Sequence, residues 1–187
     1  SNPALTEQFN LIADSADVQQ QAKLEFDRLL STQSYRQIFT NQPRFMAAMA
    51  EDPERLEALK QIAINIQEIE TTLKQAESLE KAGNSHAAWE IVEKAFQKFP
   101  DDVPLSARRS DLSTEVADFV RALKKAENLE ERSQRGSSLA WFLSARQIYP
   151  QSEFASDGIR RLVDKILPED GAAPDSGSEE VGSSASL

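Results

Sequence analysis

The sequence predicts an all-α fold on three observations. Between residues 4 and 167 glycine and proline are sparse, apolar residues recur at helical spacing over long runs, and alternating β-branched runs that would mark strands are absent. Of 187 residues, 40% are hydrophobic and 28% charged, which supplies one ordinary, elongated core.

The elements follow in chain order. Residues 1–16 are expected to fray. Asp17 to Leu30 reads as a helix through Val18, Ala22, Phe26, Leu29 and Leu30, Ser34 to Thr40 as a short one, and Pro43 to Ala50 as another through Phe45, Met46 and Met49. From Pro53 to Ala82 the residues Leu59, Ile62, Ile66, Ile69, Leu73 and Ala76 keep one apolar stripe on one side of a long helix. Asp52 caps its start, Pro53 suits its first turn with a preset φ, and Gly83-Asn84 stops it. At 1.5 Å per residue such a helix is about 45 Å long.

A shorter helix, Ser85 to Phe99, turns Ala88, Ile91, Val92 and Ala95 inward and is ended by Pro100. Pro104 to Arg132 has the stripe Leu112, Val116, Phe119, Leu123, Ala126 and Leu129 with no internal Pro or Gly, so it is expected as a second continuous long helix. Ser137 to Tyr149, ended by Pro150, repeats the short form. A closing helix runs from Ser152 to Ile166 through Phe154, Ile159 and Leu162. From Pro168 the chain turns to Gly, Ser and acids and is expected to be a disordered acidic tail, 168–187.

Laid on itself, the chain repeats with an offset of 50. Leu73-Lys-Gln-Ala-Glu-Ser-Leu-Glu-Lys-Ala-Gly recurs as Leu123-Lys-Lys-Ala-Glu-Asn-Leu-Glu-Glu-Arg-Ser, and Ala95, Gln97, Phe99 and Pro100 fall on Ala145, Gln147, Tyr149 and Pro150. Each unit is a helix, a tight turn and a shorter helix. Such a hairpin cannot bury its apolar face alone and must stack on the next. The expected organisation is an N-terminal helical segment (1–50), a repeat domain (51–167) with hairpins at 53–100 and 104–150 and a closing helix at 152–167, and the tail.

Ala76, Leu79, Gly83, Ala88, Val92, Ala95 and Pro100, with Ala126, Leu129, Ser138, Phe142, Ala145 and Pro150, resemble the tetratricopeptide repeat (TPR) pattern of small residues at the helix contact and a closing proline. The period here is 50 where the family's is 34, and the excess falls in the first helix of each hairpin. The resemblance covers roughly residues 69–150. It implies stacked antiparallel hairpins in an α-α superhelix, and a non-catalytic interaction module or scaffold that binds a peptide or partner helix in a groove lined by the first helices. Carried across, the groove positions are Glu70, Leu73, Glu77, Glu80 and Lys81 in the first hairpin and Val120, Leu123, Glu127, Glu130 and Glu131 in the second. The implied partner is another protein or peptide, basic or amphipathic, because the six glutamates would repel an acidic one. The same glutamates also read as solvated faces chosen for helix propensity, and a self-associating bundle or coiled-coil spacer built on the 3-4 stripes is the alternative function.

The remaining composition narrows the chemistry. A net charge of −10, half of it from five acids in the last twenty residues, disfavours nucleic acid as a partner, and no apolar run is long enough for a membrane span. With no cysteine and one histidine, His86, neither a metal site nor a nucleophile set can be assembled, so no catalysis, cofactor or metal is expected. Trp89 and Trp141 fall opposite Leu139 and Ile91 in the repeat and are expected in core or inter-repeat packing. The basic pairs Arg108-Arg109 and Lys124-Lys125 are expected as salt-bridged solvated faces. Ser1-Asn2 resembles the remnant of a cleaved tag, so the natural chain is expected to begin upstream, and cytoplasm and cell envelope both stay open. Oligomeric state is not fixed by the sequence.

Overall fold

The computed structural model describes residues 3–167, with side chains from residue 15 onward; the expected tail lies outside the described residues. Among the described residues every regular element is a helix: α1 (Pro3–Ser31), α2 (Tyr35–Thr40), α3 (Gln42–Ala48), α4 (Pro53–Lys81), α5 (Ser85–Lys98), α6 (Val103–Glu115), α7 (Ala117–Glu131), α8 (Arg135–Ile148) and α9 (Glu153–Ile166). The all-α expectation holds.

The fifty-residue spacing reaches further than the two sequence copies. Long helical stretches open at residues 3, 53 and 103 and close at 31, 81 and 131, and α9 opens at 153. The first fifty residues are therefore a copy of the same unit. The turn after each long helix is identical in kind. Gln33, Gly83 and Ser133 take left-handed φ values of 54°, 78° and 60°. In each turn the left-handed residue and its successor donate back to the helix, Gln33 to Leu30 and Ser34 to Leu29, Gly83 to Glu80 and Asn84 to Leu79, Ser133 to Glu130 and Gln134 to Leu129, at 2.8–3.1 Å. This paired closure satisfies carbonyls that the helix end leaves open. The other joint repeats as well: Asp52, Asp102 and Ser152 accept from the backbone N–H of Arg55, Leu105 and Ala155 at 3.2, 2.9 and 2.9 Å, each cap contributing about 1 kcal/mol.

Two sequence expectations are corrected. The first helix does not begin at Asp17, since α1 is already helical at Pro3. The stretch from Pro104 to Arg132 is not one helix, because Val116 at φ −109° and ψ 39° divides α6 from α7. Its counterpart fifty residues earlier, Ile66, sits inside the unbroken α4. The residues ahead of the break explain it. Ser110, Asp111, Ser113, Thr114 and Val116 are all weak helix formers. The same register of α4 carries Lys60, Gln61, Ile64 and Ile66, with a stronger mean propensity.

The described chain divides into two compact units, with the boundary between Glu115 and Val116. In the first unit α4 packs against α2 and α3 as well as against α5, and α5 packs against α6. Lys98, in the last turn of α5, reaches Glu68 of α4 at 2.5 Å, so α5 covers the C-terminal half of α4. One long helix thus serves two successive hairpins, which accounts for its extra length. The copy-one contact is filled by Phe26 and Phe45, edge to face at 5.5 Å, at the register where the other copies have Ala76 with Ala95 and Ala126 with Ala145.

In the second unit α8 packs against α7 and α9 around Phe119, Leu123, Ala126, Phe142, Ala145 and Leu162. Ser138, at the small-residue contact position, is fully buried and donates to the Ala126 carbonyl at 2.8 Å. Gly158 of α9 lies so near the ring of Phe142 that an added Cβ would stand 2.5 Å from it. Trp89 is buried as expected, its indole N–H donating to Ser113 at 2.8 Å. Trp141 is not: it is 38% exposed, because on α8 the buried face is made by Ser138, Phe142 and Ala145, and position 141 falls to the side of it.

Candidate functional site

The first unit holds a groove of about 590 Å³ between the α1–α2 turn, the middle of α4 and the α5–α6 turn. Ile62, Ile66 and Ile69 are spaced 4 and 3 along α4, so they share one face and form an apolar floor, with Asn65 between them. Thr32, Gln33, Ser34 and Gln37 supply uncharged hydrogen-bonding groups on one wall, and Phe99 and Val103 apolar surface on the other. The floor is buried and preformed, because α4 is held from two sides. Tyr35, 39% exposed, and Val103, 76% exposed, leave apolar surface at the rim.

Arg36 braces this groove. Its guanidinium donates to Asp102 through Nε at 2.8 Å and Nη2 at 3.0 Å, and through Nη1 to Glu70. Asp102 is also the N-cap of α6, so a single carboxylate joins the α5–α6 turn to α2 and fixes the mouth of the groove. The hydrogen bond to Asp102, with Glu70 added against the opposing effect of burial, raises the Arg36 pKa above its ordinary value and keeps the brace charged.

Of the residues expected to line an acidic groove, most are already engaged by their own chain. Glu70 accepts from Arg36 at the rim of the described groove, Glu77 pairs with Lys81 at 2.5 Å on the exposed end of α4, and Glu80 pairs with Arg108. Glu130 accepts from Arg161 at 2.9 Å and Lys165 at 3.0 Å. Glu127 and Glu131 are exposed on α7. The structure brings Glu77, Glu80 and Lys81 together on the last turns of α4, whereas Glu127, Glu130 and Glu131 belong to the second unit. Hydrogen bonding from Arg161, with Lys165 added against burial, holds the Glu130 carboxyl below the usual range, and Lys81 does the same for Glu77.

Sequence reasoning missed the groove and its brace. Arg36, Asn65 and Asp102 are distant in sequence, and the only signal for the brace was the repeated cap position at 52, 102 and 152. The basic pairs divide: Arg108 and Arg109 bond Glu80 and Glu93, as expected, whereas Lys124 and Lys125 pair with no carboxylate among the described residues. Among the described residues no group of three or more His, Asp or Glu is placed to hold a metal ion, and no helix is long and apolar enough to cross a membrane. Comparison with models of protein families, with curated proteins and with solved structures finds no match to this chain.

Proposed function

We propose that the chain is a non-catalytic protein–protein interaction module of TPR-like helical repeats, and that its first unit takes up a peptide or partner helix in the groove on α4. The observation that carries this reading is the preformed isoleucine floor of about 590 Å³ flanked by uncharged amides and hydroxyls. Apolar side chains of a bound segment would seat on the exposed rim residues Tyr35 and Val103 above the buried isoleucine floor, and its backbone would find partners in Asn65, Gln33 and Gln37. The buried small residues Ala76, Ala88, Ala95, Ala126, Ser138 and Ala145 support the TPR-like part of the reading, since these are the positions where its pattern asks for close helix approach. Ile66 and Val116, on which a dimerising seam would depend, are 4% and 5% exposed in the single chain, which weighs against the self-associating alternative.

A photo-crosslinking residue placed at Asn65 tests the site. Adducts with a partner that form at position 65, and not at the exposed Lys60 on the same helix, are the expected outcome. Equal labelling at the two positions would remove the groove as the binding site.

A further inference from the structure

The second unit carries a surface of opposite character. Residues 1–115 hold 19 acids and 12 bases, whereas the helical residues 116–167 of the second unit hold 7 acids and 9 bases, the other five acids lying in residues 168–187. On α7 the cations Arg121, Lys124, Lys125 and Arg132 fall on one face, opposite the buried Phe119, Leu123 and Ala126. Arg121 forms only an exposed pair with Asp118, and among the described residues Lys124, Lys125 and Arg132 pair with no carboxylate. The neighbouring α8 has no acidic residue at all.

The repeat shows what lies beside this stripe. In the first unit Ile91 of α5 borders a shallow depression with Thr71, Lys74, Gln75 and Ser78 of α4. Fifty residues on, the equivalent positions carry Trp141 on α8 and Arg121, Lys124, Lys125 and Asn128 on α7. Trp141 is 38% exposed, and Ile148, seven residues along the same face of α8, is 43% exposed. A depression with the single cation Lys74 in one copy thus corresponds in the next to Trp141 and three cations, of which Lys124 and Lys125 pair with no carboxylate among the described residues.

We infer that the α7–α8 face of the second unit is a docking surface for an acidic amphipathic helix of another protein. Its apolar residues would seat on Trp141 and Ile148, spaced two turns apart, and its carboxylates would meet Lys124, Lys125 and Arg132. The charge complementarity sets the sign of the partner. The apolar strip, together with the net charge of −10 on the whole chain, favours a peptide over a polyanion such as DNA or an anionic bilayer. This surface is separate from the α4 groove and stands or falls without it.

The test titrates the full chain with a synthetic helical peptide carrying leucine at i, i+3, i+4 and i+7 and glutamate on the opposite face, in parallel with its lysine-for-glutamate twin, a DNA duplex and phosphatidylserine vesicles. Backbone amide shifts and Trp141 fluorescence in a Trp89→Phe background give the readouts. The expected result is that the acidic peptide alone shifts amides of α7 and α8, that added salt weakens it, and that Lys124→Glu with Lys125→Glu cuts its affinity at least about tenfold, or 1.4 kcal/mol. These two side chains are exposed, so the fold is expected to survive; Lys124→Gln with Lys125→Gln, giving a smaller loss, guards against charge-reversal artefacts. Shifts confined to other helices, affinity unchanged by charge reversal, or tighter binding of DNA or vesicles would each overturn the inference.

Discussion

The second and third hairpins follow one plan; each ties its last helix to the long helix through a glutamate, Glu80 to Arg108 and Glu130 to Arg161 and Lys165. They differ in what fills the register of Trp89 and Glu93. Between α5 and α6 the contacts are polar: Trp89 bonds Ser113, Glu93 accepts from Arg109, and Glu80 of α4 reaches Arg108. The positions equivalent to Trp89, Ser113, Glu93 and Arg109 in the third copy are the apolar Leu139, Val163, Leu143 and Ile159, and Gly158 takes the place of Arg108 so that Phe142 can fill the space. The turns, caps and small-residue contacts are alike in both. The shape of the unit therefore resides in its turns and its close helix contacts, and the means of holding the third helix is interchangeable.

The largest effect should come from the tightest point of the third copy. Gly158→Ala drives a methyl into the buried ring of Phe142 and is expected to destabilise the protein by about 3 kcal/mol, read from urea unfolding. The matched change Arg108→Ala in the second copy, where Val92 leaves more room, should cost under about 1 kcal/mol. Equal losses at the two positions would break the comparison.

Next in size is the exchange of one glue for the other. Arg109→Ile alone strands the buried Glu93, whose side chain is 11% exposed, and should cost about 2 kcal/mol. Adding Glu93→Leu, which recreates the apolar pair of the third copy, should return the midpoint close to that of the parent. A double variant no better than the single would show that the two hairpins are not interchangeable at this register.

The smallest effects belong to the shared turn. Gln33 and Ser133 hold left-handed φ values that glycine adopts at no steric cost, so Gln33→Gly and Ser133→Gly should each raise stability by about 1 kcal/mol, and Gly83→Ala should lower it by a similar amount. Opposite signs across the three turns would show that they do not bear the same strain.

How much of this was legible depended on where each copy spends its volume. Copies two and three were visible because they share the run around Leu73 and Leu123 and keep alanine at 76, 95, 126 and 145. Copy one was hidden because Phe26 and Phe45 replace two of those alanines and Ile38 stands where Ala88 and Ser138 do, while Pro43 splits its second helix into α2 and α3. Its turn lacked the glycine that marks the second. The break at Val116 was missed because an apolar stripe reports which side of a helix is buried and not whether the backbone holds, which here is set by the weak helix formers between Ser110 and Val116. The groove formed by Arg36, α4 and Asp102 needs all three segments at once, so no local pattern announces it.

The central claim is that α4 serves two hairpins, depending on α1–α3 for its first half and on α5 for its second. Amide hydrogen exchange along α4 in a fragment of residues 51–167, compared with the full chain, tests this most directly. Loss of protection from Leu56 to Ile66, with protection retained from Glu68 to Leu79, is the predicted result. Full protection along all of α4 without the first fifty residues would contradict it.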